Sequence, residues 1–270
     1  MKTLYLSKFT KYIAIPQHLL GVLAIYLFFE LQLSWWWLAL SYVGWVVLGV
    51  FGVSTMYHKY YSHRAFEFKP QYVWVGKLFT LLGALCGQGS PIGYAAVHRL
   101  YHHPYADKDE RDPHSPHVHG FWHSYYGWHF KPAVFQLRKL KDVLEDPWAT
   151  WIHKNYYRIW WCGLLMLSVL DWRLALYGMI IPGLIHVHEM NILNSLSHMK
   201  WFGYRNFDTD EHSVNNWIFG VLSWGTGYHN NHHAVPNTWH NQVRWFEFDP
   251  FRYIMPPLIA KGHEPPQIKG

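Results

Sequence analysis

Three clusters of histidines are the residues of this chain best suited to chemistry. They read His58-Lys-Tyr-Tyr-Ser-His63, His98-Arg-Leu-Tyr-His-His103 and His229-Asn-Asn-His-His233. Neutral imidazole is the commonest transition-metal ligand in proteins, and eight imidazoles are more than one metal ion can use. Clusters of this density, each beside an apolar segment, predict a metal site.

The spacing within each cluster predicts how its rings are arranged. Residues three or four apart lie on one face of an α-helix, so His98 can point the same way as His102. The same holds for the histidines of the third cluster. His58 and His63 are five residues apart and share no face of an ideal helix. We therefore expect a helix end or a distortion at the first cluster.

The type and number of these ligands indicate which metal they suit. Structural zinc favours four ligands that usually include cysteine, whereas Cys86 and Cys162 lie outside the clusters. A haem held by two histidines would leave most of the set unused. A multi-histidine site with no required carboxylate fits a pair of iron ions that react with O2.

The other histidines, of 21 in the chain, are interpreted individually. His198 stands alone, one helical turn after Asn194, and its role is open on this evidence. His18 lies within an apolar run and His263 in a polar tail. Ten more are interpreted as surface residues or hydrogen-bonded core residues: His114, His117, His119, His123, His129, His153, His186, His188, His212 and His240.

The composition predicts a membrane protein with a sizeable polar part. Seventeen Trp and 19 Tyr suit wide interfacial belts, but the mean hydropathy of −0.11 is too low for a chain embedded throughout. The net charge of +6 fits basic residues kept on the cytosolic face. It also fits attraction to anionic lipid, an acyl-carrier headgroup or an acidic redox partner. Without a long basic run, nucleic acid is not an expected partner.

The first two apolar runs predict a helical hairpin in the membrane. Residues 12–30 and 35–56 are each about long enough to cross the hydrocarbon core, and a short turn joins them. Lys2, Lys8 and Lys11 precede the first run. By the positive-inside rule, the end of the hairpin that carries these lysines is cytosolic.

Two later runs complete an all-α integral membrane protein with four transmembrane helices in two hairpins. Residues 156–171 and 173–192 form the second hairpin. Segments 57–155 and 193–270 then form a cytosolic helical cap that carries the histidine-rich site. The termini are also cytosolic, and residues 1–270 are expected to be one domain.

The apolar segment 71–97 does not fit as a fifth span. If it crossed the membrane, the first and second histidine clusters would face opposite compartments and could not share a site. Gly83, Gly87, Gly89 and Pro91 also disfavour one continuous helix. We expect this segment to be partly embedded or re-entrant, covered by protein.

Further motifs flank the histidine clusters in a specific order. Arg64-Ala-Phe-Glu67 follows the first cluster, and Gln88-Gly-Ser-Pro91 leads into the second. The later motifs are Tyr105-Ala-Asp107, Asp112-Pro-His-Ser-Pro116, Gly120-Phe-Trp-His123, Asn194-Ser-Leu-Ser-His198, Gly227-Tyr-His-Asn-Asn-His-His-Ala-Val-Pro236 and Arg244-Trp-Phe-Glu-Phe-Asp249. With these motifs, the chain from about Leu48 to Pro250 resembles the membrane-bound fatty acyl desaturases. This is the histidine-box di-iron family that includes stearoyl-CoA desaturase.

The resemblance implies two iron ions, O2 as co-substrate, and a chain with four spans and cytosolic termini. It implies nine ligands, which map onto His58, His63, His98, His102, His103, His198, His229, His232 and His233. Asn194 matches an asparagine that holds a metal through water. Asp107 and Asp112 are expected to orient ligand histidines or to contact the substrate headgroup. Zinc is a possible substitute in an expressed sample, and no separate acid or base side chain is expected.

Three departures from the family pattern concern the substrate. The second cluster has three residues between its first two histidines, where the acyl-CoA branch has two, and Ala96-Val97 replaces an Arg-Asp pair of the animal branch. The carrier is therefore open among CoA, acyl-carrier protein and intact lipid. Met56 and Tyr57 stand where relatives carry small residues, and we expect them to narrow the acyl tunnel; ordinary helix packing is the alternative.

The expected function is O2-dependent insertion of a cis double bond, at the delta-9 position, into a saturated acyl chain. No flavin or dinucleotide motif and no fused cytochrome b5 motif occurs, so a separate ferredoxin-type or cytochrome b5-type donor must supply electrons. A fatty-acid or alkane hydroxylase of the same di-iron class is the nearest alternative. A membrane metal-binding protein is a more remote one, since transport predicts ionisable residues within the spans.

Overall fold

The computed structural model describes residues 8–130 and 137–268. Lys2 lies outside this part of the chain. The chain folds into two compact units, each built from three separate segments. The first unit comprises Met1–Tyr57, Lys77–Tyr94 and His129–His188, and the second comprises His58–Gly76, Ala95–Trp128 and Glu189–Gly270. A single domain over residues 1–270 stays a prediction.

The described residues are mostly helical. The helices are α1 Thr10–Glu30, α2 Trp36–Ser62, α3 Val73–Leu85, α4 Pro91–Val97, α5 Pro116–His119, α6 Phe121–Tyr125, α7 Lys141–Leu144, α8 Pro147–Leu170, α9 Trp172–Ala175 continued by Leu176–Ile180 and Ile181–Ser195, α10 Trp217–Leu222, α11 His229–Ala234 and α12 Phe251–Ile254. A π-helical turn, His98–His102, and a short helix, His103–Tyr105, extend α4. Short 3₁₀ turns occupy Pro70–Tyr72, Gly127–Phe130, Leu137–Leu140, Leu196–His198 and Lys200–Phe202. The strands are β1 Phe66–Phe68 and β2 Ile259–Gly262.

The helices α1 and α2 are each long and apolar enough to cross a membrane. They have 21 and 27 residues, and each contains an 18-residue stretch with a mean hydropathy of 1.7. The predicted turn between them is present over 31–35, where Gln32 adopts a left-handed backbone with φ 46°. The first hairpin is therefore helical as predicted, although α2 continues six residues past the expected limit at residue 56.

The helices α8 and α9 occupy the positions of the predicted second hairpin. Asp146 begins α8: its carboxylate accepts from the amides of Trp148 and Ala149, and Pro147 takes the first helical position. Asp171 separates the two helices and accepts from the amide of Arg173 at 2.9 Å. That these two helices also span a membrane stays a prediction.

The segment 71–97 is broken as expected, but not at every expected residue. Residues 86–90 interrupt it, and Gly87 and Gly89 there have φ of 83° and 86°. Gly83 was expected to break the helix and does not, because it lies inside α3. Its small size serves packing instead: a Cβ on Gly83 would lie 2.8 Å from the carbonyl carbon of Gly52.

Buried amides and a carboxylate hold α11 in the second unit. Asn231, on α11, donates to Glu247 at 2.9 Å and receives a hydrogen bond from Asn215 at 2.8 Å. Glu247 also accepts from Asn206 at 2.7 Å. Because these buried polar groups satisfy one another, the helix that carries the third histidine cluster has a defined orientation.

A two-stranded sheet also lies in the second unit. Strands β1 and β2 are antiparallel, with Phe66 opposite Gly262 and Phe68 opposite Ile259. The register shifts between Glu67 and Phe68. Strand β1 follows the first histidine cluster closely in the chain. Its pairing with β2 therefore sets the direction of the backbone after His63.

Candidate metal centre

Two π-helical turns determine how the first two histidine clusters are arranged. The amide of His63 donates to the carbonyl of His58 at 3.2 Å, five residues earlier. The amide of His103 donates in the same way to His98. This winding brings residues five apart onto one side, so the rings are 4.9 Å apart in the first pair and 4.6 Å apart in the second. The expected distortion at His58 and His63 is thereby present.

The same winding changes the expected partner of His98. The i, i+4 spacing favours His98 with His102, but their ring centroids are 5.5 Å apart, and the two rings belong to different groups. The third cluster is divided as well: His229 and His233 lie in one group of histidines, and His232 lies in the other. Helical spacing alone therefore does not determine which histidines fall in the same group.

Five imidazoles form the first group of possible metal ligands. The members are His58, His63, His98, His103 and His232. Their Nε2 atoms face one another: His58 and His232 at 2.8 Å, His63 and His98 at 2.8 Å. His103 lies 3.1 Å from His98 and 3.0 Å from His232, again between Nε2 atoms.

The other four predicted ligands form the second group. The members are His102, His198, His229 and His233. Nε2 of His102 lies 3.1 Å from that of His233, and Nε2 of His198 lies 3.1 Å from that of His229. The structure thus brings all nine predicted histidines into two groups within the second unit, one of five and one of four.

Burial keeps most of these rings in the neutral form that binds metal. Loss of solvent, followed by repulsion from neighbouring rings, lowers the pKa well below its usual value in six of them: His63, His98, His103, His229, His232 and His233. A metal ligand must be a neutral imidazole with a free lone pair. The arrangement is therefore suited to divalent transition metals at neutral pH.

Two buried aspartates contact the Nδ1 atoms of two histidines in the four-histidine group. Nδ1 of His198 lies 2.7 Å from Asp107, and Nδ1 of His102 lies 3.2 Å from Asp112. Burial opposes the charge on both carboxylates, but the adjacent histidines outweigh it and hold the pKa of each aspartate well below its usual range. A carboxylate at Nδ1 fixes the proton there and leaves Nε2 free toward the group.

The carboxylates act differently on the pKa of His198. Burial alone would lower it, but Asp107 and then Glu211 raise it above its usual value. Glu211, which lies 3.7 Å from Nδ1 of His198 and 3.8 Å from Nδ1 of His233, was not predicted. The sequence signal was weak: Glu211 is one acidic residue among several in a polar loop.

Lys59 is a second residue that sequence reasoning missed. Its side chain is buried, and its Nζ lies 3.4 Å from Nδ1 of His232 and 2.5 Å from Oδ1 of Asn241. A lysine directly after a ligand histidine, at the end of an apolar run, was the available signal. Arg99 was missed too; its guanidinium donates to the carbonyls of Ser62, at 2.6 Å, and Tyr61, and so satisfies the end of α2.

Three other residues named from the sequence, Asn194, Met56 and Tyr57, lie at defined positions in the structure. Asn194 is half-buried, and its carbonyl accepts from Ser124 at 2.8 Å. Met56 and Tyr57 are buried, and the Tyr57 hydroxyl donates to the carbonyl of Thr80 at 3.1 Å within the first unit. The metal contact of Asn194 and the tunnel role of Met56 and Tyr57 stay predictions.

Comparison with known proteins identifies the family. The sequence profile described as fatty acid desaturase matches residues 34–269. An sn-1 stearoyl-lipid 9-desaturase of Anabaena variabilis is 32% identical over 84% of this chain and 82% of its own length. A chloroplastic palmitoyl-monogalactosyldiacylglycerol delta-7 desaturase of Arabidopsis thaliana is 30% identical over 93% and 66%. An acyl-CoA 5-desaturase of Anemone leveillei is 29% identical over 90% and 74%. The chain belongs to the fatty acid desaturase family and is an acyl desaturase, an oxidoreductase of lipid metabolism.

Proposed function

We propose that this chain inserts a cis double bond at the delta-9 position of a saturated acyl chain, using O2 and two iron ions held by the nine histidines. The single observation that carries the proposal is the division of nine buried imidazoles into groups of five and four. Desaturases of this family generally depend on iron, and imidazole is a suitable ligand for it. Asn194 is proposed to act on one ion through water.

The ring nitrogens fit a metal at each group. Two ligands on neighbouring positions of one ion, each about 2.1 Å from it, lie about 3 Å apart. The facing Nε2 atoms are 2.8–3.1 Å apart. Hydrogen bonds between the rings cannot pair all of these atoms. A neutral ring with its proton on Nδ1 has only a lone pair at Nε2, so two such Nε2 atoms have no proton to share. A dication held by each group would accept these lone pairs.

The reaction needs an oxidant that no side chain provides. The bound iron would supply it by activating O2, with overall conversion of –CH2–CH2–, O2, two electrons and two protons to –CH=CH– and two waters. Asp107 and Asp112 hold the Nδ1 protons of His198 and His102 and so keep those rings oriented. The buried surroundings exclude water from the reacting centre.

The two electrons are proposed to come from a separate protein of the ferredoxin or cytochrome b5 type. The active site and both termini are proposed to face the cytosol, with α8 and α9 as the third and fourth spans beside α1 and α2. The positive-inside argument from the N-terminal lysines supports this orientation.

The delta-9 position and the carrier have separate support. The relatives named above act at positions 9, 7 and 5, and their names include lipid-linked and CoA-linked substrates. Several other relatives are 9-desaturases of acyl lipids. An acyl lipid is therefore the carrier we favour over CoA or acyl-carrier protein. Met56 and Tyr57 are proposed to set chain length or bond position; unchanged products from Tyr57→Ala would contradict this.

A fatty-acid profile tests the proposal directly. The chain is expressed in a host with a compatible electron donor, beside a His98→Ala/His102→Ala variant, and double-bond positions in the extracted fatty acids are mapped. We expect a new delta-9 monounsaturated species that is lost in the variant. Its lipid class identifies the carrier.

Other outcomes have defined meanings. A double bond at another position keeps the desaturase and overturns delta-9. Hydroxylated chains would assign the chain to the related hydroxylase. No new product with donor and iron both present would overturn the proposal.

A further inference from the structure

A second set of metal-ligating side chains lies beside the nine histidines, on the solvent side. Asp107, His117 and His212 each offer one ligand atom, and these atoms lie within 4.8 Å of one another. His117 is exposed and the side chain of His212 is 35% exposed, whereas that of Asp107 is only 1% exposed. Solvent therefore reaches this set on the side of His117. Neither histidine belongs to the two groups assigned to iron.

The hydrogen bonds of His117 determine which of its nitrogens is free. Nε2 of His117 lies 2.8 Å from the carbonyl oxygen of His198. A carbonyl only accepts, so Nε2 carries the proton and donates it. In a neutral ring Nδ1 then keeps a lone pair, which is the form required for a metal ligand.

His212 presents a ring nitrogen that hydrogen bonds do not account for. Its backbone amide donates to Asp107 at 3.0 Å, which anchors the residue beside the carboxylate. Its Nδ1 is buried and makes no hydrogen bond among the described residues. Nδ1 lies 3.6 Å from Oδ2 of Asp107. This separation is too long for a hydrogen bond but is within the roughly 3–4 Å between two ligands about 2.1 Å from one ion.

The two rings are arranged side by side next to the carboxylate. The centroids of His117 and His212 are 4.1 Å apart with an angle of 32° between the planes. Asp107 is held rigidly: Oδ1 accepts from Ser115 at 2.7 Å, and Oδ2 accepts from His198 at 2.7 Å. Two histidines and one carboxylate are a ligand set that binds Fe2+ or Zn2+.

We propose that Asp107, His117 and His212 form an outer site for one divalent transition-metal ion, separate from the two inner groups. The site takes ions of the Zn2+, Co2+ or Fe2+ type and completes their coordination with water. Asp107 joins the outer site to the inner one, because the same carboxylate orients His198. Occupation of the outer site therefore acts on an inner ligand through one shared side chain.

A zinc titration of the iron-loaded protein tests the outer site without an activity assay. The full chain is purified in detergent with a tag that contains no histidine, and zinc binding is measured by competition with a chromophoric chelator while iron content is followed. We expect one further zinc per chain with no release of iron. His117→Ala and His212→Ala should each weaken this binding at least about tenfold.

Matched controls make the test decisive. His263→Ala removes another exposed histidine and should leave the additional zinc in place. The variants are compared at equal iron content and at equal elution volume on size exclusion. If an alanine variant does not fold, His212→Asn is used in its place. Zinc binding that is unchanged in both variants overturns the proposal. So does zinc uptake that only replaces released iron, or the absence of additional zinc in the unsubstituted protein.

Discussion

The backbone amide of His63 donates to the carbonyl of His58 at 3.2 Å, so these two rings of the five-histidine group are one π-helical turn apart. An α-helical turn would instead favour ligands four residues apart. This difference gives a test of the helix winding. A Ser62→His/His63→Ser double variant moves the second imidazole of this pair from residue 63 to residue 62. At residue 62 the ring should no longer face the other four histidines of the group of five.

We expect that double variant to lose most of the iron of the five-histidine group, and with it desaturation. Metal analysis of the purified protein measures the change, with the iron of the four-histidine group as internal reference. A His263→Ala variant controls for loss of an unrelated histidine. Iron content at the wild-type level would mean that the π winding does not determine which ring positions bind.

Replacing the aspartates behind the ligands should weaken metal binding without removing a ligand. Asp107→Asn and Asp112→Asn keep the side-chain size but remove the charge that fixes the proton on His198 or His102. Loss of such a partner typically costs about 10–100-fold in metal affinity. Iron retention during dialysis against a chelator measures the effect.

Asp109→Asn is the matched control for the aspartate variants. Asp109 lies in the same loop but is paired with the exposed Arg111 at 2.8 Å and contacts no ligand histidine in the described residues. Its iron retention should equal that of the unsubstituted protein. Equal retention in all three variants would show that the two buried carboxylates do not orient the ligands.

The metal-depleted protein should lose stability as the pH falls below about 6.5, the usual histidine pKa. Burial lowers the pKa of six ligand histidines, His98 and His229 among them. Below 6.5 the unfolded chain therefore binds more protons than the folded one, by up to about 1.4 kcal/mol per pH unit for each histidine. His198 and Asp249 have raised pKa values and contribute with the opposite sign, but they are two groups against six.

Thermal unfolding of metal-depleted protein between pH 8 and pH 5 checks this sign. The midpoint should fall steadily as the pH drops below 6.5. Iron-loaded protein is the comparison; its midpoint should hold to lower pH because protons must first displace the metal. A midpoint of the metal-depleted protein that rises on acidification would contradict the assignment of neutral buried rings.

Two glycines with similar backbone conformations should differ in their tolerance of alanine. Gly225 has φ 91°, and a Cβ there would lie 2.1 Å from the buried carboxylate of Asp249. Gly120 has φ 83°, but a Cβ there would meet no atom within 4 Å. Gly120→Ala should cost about 1–3 kcal/mol from backbone strain alone. Gly225→Ala should cost more than about 4 kcal/mol, because it also displaces Asp249.

Thermal midpoints of the two glycine variants provide the measurement. Asp249 accepts from the amide of Asn241 at 2.7 Å, and Asn241 contacts Lys59 beside His232. Gly225→Ala should therefore also reduce iron content, whereas Gly120→Ala should not. Equal midpoints for both would mean that the loop at Gly225 moves to accommodate the methyl group.

The sequence alone was a good guide to the helices and to the identity of the clustered residues. Apolar runs with polar ends place the helices of both hairpins, because burying or embedding apolar surface favours long uninterrupted helices. Histidine spacing selected eight of the nine clustered rings, and resemblance added His198. The sequence motifs also indicate the carboxylates Asp107 and Asp112.

Tertiary structure decided which of these residues act together. Local spacing placed His98 with His102, but the π turn and the approach of α11 place it with His103 and His232. The approach of Lys59 to His232, and of Glu211 to His198 and His233, joins segments far apart in the chain. Helical periodicity describes neighbours within one segment, whereas the grouping of ligands depends on the winding of each helix and on packing between segments. Those two features are determined only when the chain folds.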